Sequence, residues 1–284
     1  MKSEQHNHYQ TEGLTMKTKM DLAVIDKLCR IERQKTHKSK IHIDDYPISP
    51  KESMLPKQPW TEGTIEAYLT VAKSAINLID STLQLTYTNK ADIKDILDFP
   101  CGHGRVLRGL RSYFKESNIY ACDLDVEGVD FCSSHLGAIG VYSNVDPDKV
   151  VFNTKFDLIW CGSLFTHLNS DKWPSFFNFF DKVLREQGIL IFTYAGTYVK
   201  DLIEAGKHSI NNKVIGKDES ILTDFYKDGF GYKSYIAIPD YGQTICSPEW
   251  MRKYIENLTN YRSVLHFERG WNGRQDVIAI VKEG

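Results

Sequence analysis

The stretch Ile96-Leu97-Asp98-Phe99-Pro100-Cys101-Gly102-His103-Gly104-Arg105 decides the fold. It opens as a short apolar strand, Pro100 stops the strand, and two glycines make a tight turn. Apolar periodicity then predicts a helix with Val106, Leu107, Leu110, Tyr113 and Phe114 inward and Arg105, Arg108, Arg111 and Lys115 outward. A strand, a glycine turn and a helix bring backbone close to a ligand and aim a helix N-terminus at it. A dinucleotide site uses a similar turn with three glycines. Gly102 and Gly104 match the first two, but Leu107 stands at the third.

Strand and helix signals alternate outward from this turn. A helix over residues 62–82 carries Ile65, Tyr68, Leu69, Ala72, Ile76 and Ile79 on one face. Strands are expected at Asn118–Asp123, Ala138–Tyr142, Phe156–Cys161 and Ile189–Tyr194. Helices are expected through Val126, Val129 and Phe131, and from about Asp171, where Trp173, Phe176, Phe177 and Phe180 read as a core stripe. Near-continuous apolar strands separated by helices indicate a parallel sheet covered on both faces. Asp123 ends the second strand, where a carboxylate can accept hydrogen bonds from both ribose hydroxyls of an adenosine ligand. Ser143 and Asn144 follow the third strand, within reach of an adenine edge, and Gly162 follows the fourth.

As an ordered set, the segment from Ile96 to Tyr194 resembles the class I S-adenosylmethionine-dependent methyltransferases. Asp98 to Gly104 stands at that family's glycine-rich first motif, Asp123 at its ribose-binding acidic residue, Phe156–Ile159 at its fourth-strand motif and Gly188–Ile191 at its fifth-strand entry. The resemblance implies an α/β fold with a Rossmann-like, doubly wound sheet of seven strands, mostly parallel with an antiparallel last strand. It implies S-adenosyl-L-methionine as cofactor, held by Asp98, Phe99, Pro100, Cys101, Gly102, His103, Gly104, Asp123, Leu124, Ser143, Asn144, Cys161 and Gly162. One departure is Pro100, where the family usually has glycine. More narrowly, DFPCGHGRVLR, LIWCGSLFTHL and WNGRQDV resemble a bacterial subgroup whose members often accompany glycan-assembly enzymes, which suggests a sugar or glycan hydroxyl as methyl acceptor.

His167, five residues past Gly162, is the candidate general base for such a hydroxyl. The alternative is a histidine that shapes the pocket or bonds a nearby backbone group. Tyr194, Tyr241, Trp250, Trp271 and Gln275 are candidates for an acceptor wall. A non-catalytic S-adenosylmethionine-binding protein and a nicotinamide-dependent oxidoreductase are the competing functions. Leu107 and the lack of an evident hydride-handling site count against the latter.

Residues 1–60 read as an extension and linker: a polar start, a helix with Leu22, Ile25, Leu28 and Ile31, a basic run from Arg30 to Lys40, and prolines at 47, 50, 56 and 59. Residues 61–284 read as the methyltransferase domain, with a lid-like insertion at about 196–242. The 35 Lys+Arg against 37 Asp+Glu leave a charge of -2, which argues against nucleic acid as the main partner. The 42% apolar content suits a globular core, and no run approaches the roughly 20 apolar residues of a membrane span. A small-molecule or glycan acceptor, a cytoplasmic location, reduced buried thiols and no metal site are expected.

Overall fold

The computed structural model describes residues 43–210, 213–214, 216, 218–236 and 238–284. The expected polar start, first helix and basic run lie outside the described residues. The elements are α1 (Glu62–Leu85), β1 (Asp95–Asp98), α2 (Leu107–Tyr113), β2 (Asn118–Asp123), α3 (Val126–Leu136), β3 (Ile139–Tyr142), β4 (Phe156–Cys161), α4 (Trp173–Val183), β5 (Leu184–Tyr194) and α5 (Thr197–Glu204). There follow β6 (Ser209–Ile210), β7 (Lys213–Val214), α6 (Glu219–Asp228), β8 (Phe230–Tyr235), β9 (Ile238–Cys246), α7 (Pro248–Glu256), β10 (Tyr261–Trp271) and β11 (Gln275–Lys282).

Seven strands form one sheet in the order β10-β11-β5-β4-β1-β2-β3. The strands from β3 to β5 are parallel. The last strand, β11, runs antiparallel to β5, and β10 is antiparallel to β11. The expected doubly wound, Rossmann-like sheet is therefore the fold. The chain leaves β1 toward β2 and β3, then returns to β4 on β1's other side. That reversal opens a crevice outside the carboxyl ends of β1 and β4, where open α/β sheets bind ligands.

The core follows from strand alternation. Leu97, Ile159, Leu190 and Phe192 share a buried cluster with Trp173, Phe176, Phe177 and Phe180 of α4, so the aromatic stripe is core. The alternate residues Ile96, Leu158, Trp160 and Ile191 are buried as well. α1 starts where the Thr61 hydroxyl accepts from Thr64 N at 3.2 Å. It packs tightly on α2, because a Cβ at Gly109 would lie 2.8 Å from Ile76 Cγ1. Trp271 ties β10 to α1 through a 3.1 Å bond from its Nε1 to Val71 O.

Three local readings change. Arg105 and Arg108 do not point outward: Arg105 is half-buried, and Arg108 is fully buried, donating to Gly104 O, Tyr46 O and Pro47 O. Those bonds, with Tyr68 OH donating to Glu52 Oε2 at 2.6 Å, pin residues 43–54 to the domain as a strap where a linker was expected. The glycine- and tyrosine-rich stretch 228–242 forms most of the β8–β9 hairpin. There a Cβ at Gly231 would lie 2.2 Å from Ile221 O and one at Gly242 2.1 Å from Lys233 O, so close backbone approach demands the glycines that masked the strand pattern. Ala195, Val199, Ile203, Ile221, Leu222, Phe225 and Ile245 form a second small core.

Candidate active site

The crevice holds one cavity of about 720 Å³. Asp98, Phe99, Pro100, Cys101, Gly102 and His103 reach it from the β1–α2 turn, and Asp123, Leu124 and Asp125 from the end of β2. Ser143 and Asn144 follow β3, while Gly162, Ser163 and His167 follow β4. The strap supplies Glu52, Ser53 and Met54, β9 Ile238, Asp240 and Tyr241, and β10 Trp271. Two of the cofactor residues expected from sequence are off the lining. Cys161 is wholly buried in the core. Gly104 serves the turn itself: its φ is +83°, and a Cβ there would lie 2.4 Å from Leu136 Cδ1. The Phe99 ring also turns inward, packing against Phe176, Phe179 and Phe180.

The glycine turn is closed by backbone and by Asp123. Phe99 N donates to Trp160 O of β4 and Cys101 N to Cys122 O of β2, so the donor that Pro100 lacks breaks neither bond. Gly102, at φ +50°, donates from N to Asp123 Oδ2 at 2.7 Å. Asp123 Oδ1 accepts from Asp125 N at 2.9 Å. Burial raises the Asp123 carboxyl above its usual range, while the Asp125 and Gly102 amides oppose this. Asp98 lies at the floor, 1% exposed, with Oδ2 lacking a hydrogen-bond partner. Burial, then the charge of Asp123, push its carboxyl well above the usual range, against the pull of Arg105. His103 is buried beside Asp125, and its Nε2 is likewise without a partner.

His167 is held by β9. Its backbone N–H bonds Leu164 O, its carbonyl accepts from Gly242 N at 2.8 Å, and Thr244 N bonds Thr166 O at 2.9 Å. Its Nδ1 lies 2.7 Å from Gly242 O. A carbonyl only accepts, so Nδ1 carries the proton and Nε2 keeps its lone pair. No protein group bonds Nε2 among the described residues. The Tyr241 ring stacks on the imidazole at 4.6 Å, and Tyr235 OH lies 3.3 Å from Nδ1. Burial lowers the His167 pKa, which favours the neutral ring.

Of the expected acceptor wall, Tyr241 and Trp271 line the cavity. Tyr194 is buried against His266, and Trp250 packs with Trp173 and Tyr254. Gln275 stands behind Ser163, donating to its hydroxyl at 2.7 Å. Sequence reading missed the strap because its prolines mimic a linker. It missed Arg105 because helix α2 begins only at Leu107, so helical periodicity does not govern residue 105. The five described cysteines are free and buried. No cluster suited to a metal ion occurs among the described residues, nor any helix long and apolar enough to cross a membrane.

This geometry can be set beside known proteins. Residues 96–188 match the family model described as a methyltransferase domain, a segment running from β1 into β5. No curated protein gives a significant sequence match. Among solved structures, the chain is similar to an S-adenosylmethionine-dependent methyltransferase from Clostridium acetobutylicum ATCC 824, with a TM-score of 0.50 and 17% identity, over 77% of this chain and 92% of that one. It is also similar to magnesium protoporphyrin IX methyltransferase from Synechocystis PCC 6803 with bound SAH, with a TM-score of 0.48 and 11% identity, over 81% and 91% of the two chains. The sheet order is the fold shared with the Clostridium acetobutylicum structure, and the segment from β1 into β5 is that of a methyltransferase domain.

Proposed function

We propose that this enzyme methylates a hydroxyl of a sugar, glycan or other small molecule, with His167 as general base. The observation that carries the reading is the 2.7 Å contact between His167 Nδ1 and Gly242 O, which leaves the Nε2 lone pair available beside the cavity. A hydroxyl must lose its proton as it attacks, whereas an amine that arrives neutral does not. The surrounding wall of Tyr241, Trp271 and Met54 with Ser163 and Asn144 mixes apolar faces with a few polar groups, which suits a polyol ring.

The cavity suits S-adenosylmethionine on two observations. Asp98 presents an orphaned carboxylate oxygen for a cationic ammonium, and both Asp123 oxygens keep a spare lone pair for ribose hydroxyls beside their backbone bonds. Leu124 offers an apolar face and Asn144 a polar edge for adenine. When bound, the cofactor supplies a sulfonium-activated methyl group. The protein's part is to align the acceptor, remove its proton at His167 Nε2, and keep that imidazole neutral and oriented. Alignment is worth about 7–11 kcal/mol in favourable intramolecular cases, and a positioned base about 10²–10⁴-fold. The test is incubation with S-adenosylmethionine and a panel of nucleotide sugars, free sugars and glycans, read by mass spectrometry. A methylated sugar from the wild-type protein supports the reading, and methylation confined to amines contradicts it.

A further inference from the structure

The loop after β4 carries a strained residue. Ser163 lines the cavity and sits at φ +62°, in the left-handed region that a non-glycine residue enters at a cost. Its backbone is tied on both sides. Ser163 N donates to Thr193 Oγ1 of β5 at 2.8 Å, and Ser163 O accepts from Thr166 Oγ1 at 2.7 Å. Glycine would take this conformation without strain, so the side chain needs a reason of its own.

The directions of the hydrogen bonds supply one. Thr193 is fully buried, so its hydroxyl proton must find an acceptor inside the protein. Among the described residues, the acceptor it meets is Gln275 Oε1 of β11 at 2.6 Å. That contact fixes which end of the Gln275 amide is the oxygen, and it leaves Nε2 to donate to Ser163 Oγ at 2.7 Å. The side chains of Thr193, Gln275 and Ser163 thus form a chain in which Ser163 Oγ accepts. Its own proton meets no acceptor among the described residues and is left for the cavity. His167 stands on the same short loop, which His167 N closes by donating to Leu164 O at 3.0 Å. A donor at Ser163 and a proton acceptor at His167 Nε2 therefore line the cavity from one fixed segment.

We propose that Ser163 is an acceptor-binding residue: its hydroxyl donates to an oxygen of the methyl acceptor, and Gln275 and Thr193 are positioning residues that keep that proton aimed outward. The proposal rests on the hydroxyl-methylation reading and deepens it. His167 Nε2 takes the proton of one acceptor hydroxyl while Ser163 holds a second oxygen. The site then selects acceptors with two oxygens close together, as on neighbouring carbons of a sugar ring, over simple alcohols. A cofactor oxygen is the competing partner for the same proton, and the test reads both.

The experiment follows steady-state methylation of the sugar that the panel above identifies, with S-adenosylhomocysteine titrated by calorimetry into the same full-length proteins. Ser163→Ala should lower kcat/KM for that sugar by about 10- to 100-fold, the range for a partner lost from an enclosed hydrogen bond. It should leave S-adenosylhomocysteine affinity within about twofold, as expected of a group that does not touch it. Ser163→Gly should be as slow as Ser163→Ala yet more stable in a urea melt, because glycine relieves the backbone strain. Gln275→Glu sets an acceptor oxygen where Nε2 now donates, so the Ser163 proton turns inward. That variant should reproduce the Ser163→Ala loss, and combining the two should be no slower than Ser163→Ala alone. Near-normal kcat/KM in both Ser163 variants would overturn the proposal, and so would losses that add in the combined variant. Weakened S-adenosylhomocysteine with normal sugar kinetics would overturn it too and give the hydroxyl to the cofactor. If Gln275→Glu does not fold, the two Ser163 variants decide. Wild-type protein that methylates no sugar would instead overturn the hydroxyl reading itself, and the proposal with it.

Discussion

Replacing Gly128 with alanine tests whether the glycine turn is as tightly held as the structure shows. Gly128 is in the first turn of α3, and a Cβ there would lie 2.5 Å from Gly102 O and 2.8 Å from Gly102 C. An unstrained carbon–oxygen contact is about 3.3 Å, so the gap must open by roughly 0.8 Å. The turn resists, because Gly102 N is bonded to Asp123 Oδ2 at 2.7 Å and Cys101 N to Cys122 O at 3.1 Å. The helix resists too, because Gly128 N is capped by Asp125 Oδ1 at 3.2 Å and Val129 beside it is 1% exposed. Overpacking of this kind costs about 1–3 kcal/mol. The yielding element is the turn that carries Asp98, Gly102 and Asp123, so part of the cost falls on cofactor binding. Gly128→Ala should therefore lose at least about 1 kcal/mol in a urea melt and weaken S-adenosylhomocysteine about tenfold in calorimetry. Wild-type stability and wild-type affinity together would refute the argument that this crossing is sterically closed.

Three further outcomes are expected. Asp123→Ala should weaken S-adenosylhomocysteine by about 1.5–3 kcal/mol in calorimetry, while the circular dichroism spectrum stays that of the wild type. His167→Gln should lower the maximal methylation rate by about 10²–10⁴-fold with little change in cofactor affinity. Because burial lowers the His167 pKa, the wild-type rate should hold to a pH below the ordinary histidine value of about 6.5 before it falls, as a pH–rate profile would read. Asp276 is 1% exposed, and its carboxyl is raised to about 6 chiefly by burial. The raised carboxyl contributes stability present below the unfolded value of about 4 and lost as pH rises through about 6, so Asp276→Asn should gain about 1–3 kcal/mol on wild type between urea melts at pH 5 and pH 8.

The sequence shows most of the sheet because its inner strands are buried on both faces. Ile96-Leu97 and Leu158-Ile159-Trp160 are continuous apolar runs for that reason, and Gly102 and Gly104 mark the turn that follows β1. Asp123 is legible as the carboxylate that ends the second strand, and the structure bonds it to Gly102 N and Asp125 N. The strap is not legible. What fixes residues 43–54 is Arg108 and Tyr68, more than 15 residues away in sequence, which no local pattern records. Arg105 hides for a related reason: it sits in the turn before α2, where the 3.6-residue period has not begun. The hairpin that aims His167 is obscured by the very glycines that let it pack.

The most direct test of the central claim is a calorimetric titration of the wild-type protein with S-adenosylmethionine and, separately, with NAD. The account predicts one S-adenosylmethionine per chain at micromolar affinity, held at Asp123 and Asp98, and no heat from NAD. A chain that binds NAD at that affinity and S-adenosylmethionine not at all would contradict it.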